Sequence, residues 1–164
     1  MMPPYWNAVL DAVKTTFVAA LAYSCGIYFT RFFHDASSLI GGLWAMISGI
    51  SVLSARRNAI WRFAGPQIIG TLFGAVVSAI YLTFLPFSPL GLTLSIFATV
   101  LLCHAAGVPD HARLAVATVA LIMVLSSIHP GVHPALSAAL RLSEACIGVV
   151  VAALTIMLWP QPKE

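Results

Sequence analysis

From Gly65 to Leu85 the chain runs 21 residues without a charged side chain. About 20 apolar residues span the hydrocarbon core of a bilayer as a helix, with a range near 17–25. Five further apolar runs can be marked: Ala12–Phe33, Leu39–Ser54, Leu90–Gly107, Arg113–Ile128 and Ala135–Trp159. Turn formers close several of them, among them Pro-Phe-Ser-Pro at Pro86–Pro89 and His-Pro-Gly-Val-His-Pro at His129–Pro134. Only 8% of the chain is charged, against about 25% in a soluble domain. That leaves too little polar surface to cover a water-soluble globule. Membrane barrel strands alternate apolar and polar residues over about 10 positions, whereas these runs are apolar throughout. The chain is therefore expected to be an all-α membrane protein, one domain of six transmembrane helices over residues 1–164. Runs two and five are the shortest, which predicts that they tilt or pair as a buried hairpin.

Cations at the ends of these runs set the expected topology. If every run spans, Lys14, Arg56, Arg57, Arg62, Arg113 and Lys163 fall on one side, with Arg31 and Arg141 on the other. An excess of Lys and Arg marks cytoplasmic loops, so both termini and the Arg56–Arg62 loop are expected in the cytoplasm. The net charge of +3 follows from these topology cations. They sit at the ends of apolar runs and form no polar face for nucleic acid, and no nucleic-acid partner is expected. Cys25, Cys103 and Cys146 all lie inside apolar runs, so they read as small core residues and no disulfide framework follows. The N-terminus lacks the basic stretch and small-residue cleavage motif of a signal peptide, so the first helix is expected to be retained.

Gly70 and Gly74 are spaced Gly-x-x-x-Gly, and Gly148 with Ala152 repeats the pattern in run six. Small residues at that spacing let two membrane helices approach closely. Sliding the first half by 78 residues places Thr15 on Thr93, Cys25 on Cys103, Ser48 on Ser126 and Gly70 on Gly148. Arg62 falls one residue from the register of Arg141. This weak half-repeat predicts two inverted three-helix halves, with runs three and six as counterparts. Carriers built that way place their sites where the halves meet at mid-membrane.

Few residues here can carry chemistry. Arg141 and Glu144 lie three apart on one face of run six. With the span starting near Ala135, Glu144 sits about 13 Å in at ~1.5 Å per residue. A carboxylate at that depth must pair, protonate or face a wet cavity. It is either a site that alternately holds a proton and an anion, or half of a structural ion pair. Lys14 and Arg62 start runs one and three, where they either attract an anionic substrate or reach lipid phosphates and set topology. Trp44, among Gly41, Gly42 and Gly49, either lines a pocket for a flat ring or packs against core and lipid. His129 and His133 have ligand spacing, but Pro130, Gly131 and Pro134 break any helix between them. His104, Asp110 and His111 form only a loose cluster. No zinc-protease, serine-hydrolase or phosphate-loop motif occurs. No catalytic residue, metal or cofactor is expected, and the chain does not read as an enzyme.

Taken in order, these features resemble the FUSC, or fusaric acid resistance protein-like, domain related to the aromatic acid exporters. The resemblance rests on Lys14, Leu-Trp-Ala-Met-Ile-Ser at Leu43–Ser48, Arg57 and Arg62, and Gly-Thr-Leu-Phe-Gly at Gly70–Gly74. It continues with Arg-Leu-Ser-Glu at Arg141–Glu144, then Gly148 and Pro160. It implies export of amphipathic organic acids, aromatic carboxylates included, across a bacterial inner membrane and drawing on the proton gradient. Arg62 and Arg141 would attract the carboxylate, Trp44 and Lys14 would take part in binding, and Glu144 would couple proton movement. Larger members carry a soluble cytoplasmic domain and often a second membrane half. This chain has neither, and its turn after run two, at Ser54–Ala55, departs from the family pattern. A homo-oligomer in the lipid bilayer is therefore expected, with a small organic acid as substrate. The alternative is a non-transporting membrane scaffold or modulatory subunit of the same family.

Overall fold

The computed structural model describes residues 4–53, 60–129 and 131–159. It is all-helical: α1 (Pro4–Phe33), α2 (Ser38–Leu53), α3 (Ile60–Phe84), α4 (Pro89–Ala105), α5 (Ala112–Ile128) and α6 (Pro134–Leu158), with 3₁₀ turns at Asp35–Ser37 and Pro109–His111. Five stretches are long and apolar enough to cross a membrane: Ala8–Phe33, Asp35–Leu53, Ile60–Phe84, Pro109–Ile128 and Pro134–Leu158. Helix Pro89–Ala105 is apolar but shorter. An apolar surface in lipid leaves every backbone polar group to be satisfied within the protein, which is the physical reason these runs are helices.

Two helices begin earlier than the apolar runs predict. The α1 helix already includes Asp11 and Lys14, which read as its boundary in the sequence, and α3 starts at Ile60 and continues through Pro66. Proline crowds the Cβ of the residue before it out of helical geometry. Gly65 has no Cβ, so the helix passes. Arg62 therefore lies inside the first turn of α3. Local punctuation is clear elsewhere. Ser88 caps α4 by accepting the Gly91 N–H at 3.0 Å, with Pro89 at the first helical position. Gly107 follows the C-terminus of α4 at φ 71°, the left-handed conformation that favours glycine.

The chain divides into two compact units. The first comprises residues 1–64 and 144–164, and the second residues 65–143. In the first, α1 packs antiparallel on α2. Close packing follows from Gly26, where a Cβ would sit 2.8 Å from the Ala45 Cβ and the Gly41 carbonyl oxygen. From Glu144 onward, α6 lies against α2 in the same direction. Glu144 is beside Gly41, and Gly148 is beside Ala45 and Gly49. Val18, Ala22, Ala45, Val52, Ala145, Ala152 and Ile156 complete this core. In the second unit α4 pairs with α5, and α3 runs parallel to α5. Gly70 faces His111 and Leu114, and Gly74 faces Ala115 and Thr118. Cys103, Val119, Ile122 and Met123 are fully buried there. Each unit thus joins a hairpin of consecutive helices to a helix from the other half of the sequence.

Candidate functional site

Hydroxyls in these helices mostly serve their own backbone. Ser24 donates to the Ala20 carbonyl, Ser51 to Ile47, Ser78 to Gly74, Thr99 to Ser95, Thr118 to Leu114 and Thr155 to Val151, at 2.7–2.9 Å. Such bonds satisfy a polar group without tying helices together. Thr30 departs from this pattern. Its Oγ1 donates across the first unit to Glu144 Oε1 at 2.5 Å, linking α1 to α6. That length is at the short end for a hydroxyl donating to an ionised acceptor.

The sequence builds this contact from small residues. Along α1, Val18, Ala22, Gly26 and Thr30 recur every four residues on one face, and all are buried. Along α2, Gly41, Ala45 and Gly49 do the same. At Gly41 a side chain has no room, because its Cβ would collide with Thr30 Oγ1 and Glu144 Oε1. The carboxylate thus occupies space that glycine vacates. Glu144 and Thr30 are both fully buried. Glu144 is the eleventh residue of α6, about 15 Å from its start. Burying a carboxylate in this way is costly unless it is paired and hydrogen-bonded.

Arg141, one turn earlier on the same helix, is also fully buried. Read as a boundary cation in the sequence, it is an interior residue in the fold. The helix begins at Pro134, two turns before it, and the position faces the core. Trp44 is 6% exposed, and its indole N–H is buried with no hydrogen-bond partner among the described residues. Lys14 is half-buried in the interior of α1, and Arg62 is exposed in the first turn of α3. Arg56, Arg57, Lys163 and the Ser54–Ala55 turn lie outside the described residues. Among described residues, no three His, Cys, Asp or Glu side chains converge as a metal site would require. His133 Nδ1 accepts the Ala135 N–H at 3.3 Å, which occupies it at the start of α6. In the second unit, a cavity of about 470 Å³ is lined by Leu82, Pro86, Phe87, Ser126, Ser127, Val132 and Pro134. None of the expected site residues lines it.

Glu144, Arg141 and Trp44 were legible as candidates and Gly41 as a glycine beside Trp44, but Thr30 was not singled out. The signal that points to Thr30 is the four-residue stripe on α1, apolar or small at three positions and hydroxylated at the last, and to Gly41 the small-residue stripe Gly41, Ala45 and Gly49 on α2. No match is found among curated proteins or solved structures. The family model for fusaric acid resistance protein-like domains matches residues 22–155, which takes in Thr30, Gly41, Trp44, Arg141 and Glu144. The chain belongs to the fusaric acid resistance protein-like (FUSC) family of transporter-type membrane proteins.

Proposed function

We propose that this protein exports amphipathic organic acids, aromatic carboxylates among them, across the bacterial inner membrane, coupled to proton movement through Glu144. The observation that carries this reading is a fully buried glutamate, in a membrane helix, held by a hydroxyl from another helix. Intramembrane ionisable groups are costly and mark ion and proton pathways. Arg141 puts a buried cation one turn from it, suited to a substrate carboxylate. Trp44 offers a buried ring and an indole N–H free to meet a substrate oxygen. Arg62 and Lys14 serve as cationic attractors at the cytoplasmic side, consistent with the exposure of Arg62. Both termini lie in the cytoplasm on this reading, which keeps the excess of Lys and Arg on that side. The working form is a homo-oligomer.

The test is efflux in a deletion strain challenged with a panel of aromatic and aliphatic acids. Complementation by wild type should restore resistance to a subset, and Glu144→Gln should not. Equal protection by both would remove Glu144 from the mechanism. Full tolerance of neutral changes at both Arg141 and Glu144 would favour the non-transporting scaffold.

A further inference from the structure

The Glu144 carboxylate is held by a neighbour that no short motif marks. Thr30 Oγ1 donates to Glu144 Oε1 at 2.5 Å, whereas the hydroxyls of Ser24, Ser51, Ser78, Thr99, Thr118 and Thr155 bond their own backbone. A Cβ at residue 41 would displace both partners of this bond. We infer that Thr30 is the positioning residue of the proton-carrying carboxylate, and that Gly41 provides the clearance for their bond. Resting on the proposed role of Glu144, this assigns the α1–α2 hairpin the task of fixing where the proton is taken up and released.

Thr30 reaches Glu144 from α1, across the unit. The α2 helix has no ionisable group from Ser38 to Leu53. On α1, Arg31 is exposed and pairs with Asp35 at 3.0 Å, on the side away from the core. Asp11 and Lys14 lie about four to five turns back along α1. On α6 itself the charged neighbour is Arg141, three residues before. When Glu144 is ionised, the Thr30 O–H donates to it. When Glu144 takes a proton, the charge-assisted part of that bond is lost, and the tie between α1 and α6 weakens. Proton binding thus reports directly on the packing of α6 against the hairpin.

The experiment uses the full chain in liposomes, comparing Thr30→Val, Thr30→Ser and Gly41→Ala with wild type and Glu144→Gln. Infrared difference spectra need no substrate, because Glu144→Gln identifies the Glu144 carboxylate band. Thr30→Val should move that band to the frequency of a carboxylate without the hydroxyl donor, and Thr30→Ser should leave it in place. Gly41→Ala should reproduce the Thr30→Val spectrum by displacing both partners, and it serves in its stead if that variant does not fold. With benzoate as probe, turnover should fall about tenfold or more in Thr30→Val, the weight of one hydrogen bond to a charged group, with KM unchanged. Thr30→Ser should recover it. An unmoved band in Thr30→Val and Gly41→Ala would overturn the inference, as would equal turnover loss in Thr30→Val and Thr30→Ser. Wild-type transport by Glu144→Gln would instead remove the proposed function on which it rests.

Discussion

Thr30 and Thr99 are both fully buried threonines on apolar helices, and their surroundings give them opposite roles. The hydroxyl of Thr99 returns to the Ser95 carbonyl of its own helix at 2.7 Å, so replacing it with Val removes a bond that helix can spare. Thr99→Val should change unfolding stability in detergent by less than ~1 kcal/mol, measured by thermal or denaturant unfolding. A larger loss would show that the backbone bond was not dispensable. Sequence reasoning placed Glu144 at depth, because an acidic residue inside a 25-residue apolar helix has few alternatives. It could not find Thr30, which is 114 positions away and chemically identical to threonines that do nothing of the kind. Nor could it separate Arg141 from the boundary cations, since that depends on where α6 begins and which way the position faces.

At the scale of elements, glycine does in this fold what side chains do in soluble cores. Gly148 lies where a Cβ would meet the backbone of Ala45 and Gly49, with the Gly49 nitrogen at 2.8 Å. Helix backbone cannot yield as a flexible side chain can. Gly148→Ala should therefore cost ~1–3 kcal/mol, the usual penalty for overpacking, seen as a lower unfolding midpoint in detergent. Gly131, with nothing within 4 Å of its Cβ position, is the control, and Gly131→Ala should be neutral. Equal effects from the two would show that the α2–α6 contact is looser than its geometry implies. The apolar runs located the six described α-helices, five of them long enough to span a bilayer and α4 shorter, because apolar runs between turn formers fold as helices in lipid. They misplaced the starts of α1 and α3, because a helix need not stop where its apolar surface does. Asp11 and Lys14 sit comfortably within α1, and Gly65 carries α3 through Pro66.

For the whole molecule, both units share one internal plan. In each, a hairpin receives a parallel helix from the other half of the chain: α6 beside α2, and α3 beside α5. That plan supports the three-helix repeat that a 78-residue offset hints at in the sequence. The offset itself fits the contacts poorly. It places Ala45 on Met123, whereas Gly70, the counterpart of Gly148, meets Leu114 and Ala115. Helix count and connection were legible because they follow from hydropathy. Register was not, because it depends on side-chain contacts between distant segments. The proposed orientation has its own test: a reporter active only outside the cytoplasm should work when fused after Phe87 and fail after Val108. The reverse pattern would invert the topology. The proposed oligomer should give a light-scattering mass in detergent that is a multiple of the 17.4 kDa chain, and a monomer would refute it. The most direct measurement of the central claim is benzoate transport into liposomes driven by an imposed pH gradient, with wild type and Glu144→Gln side by side. Gradient-dependent flux above that of protein-free liposomes is expected from wild type and is expected to be lost in Glu144→Gln. Equal gradient-driven flux from both proteins would contradict the account.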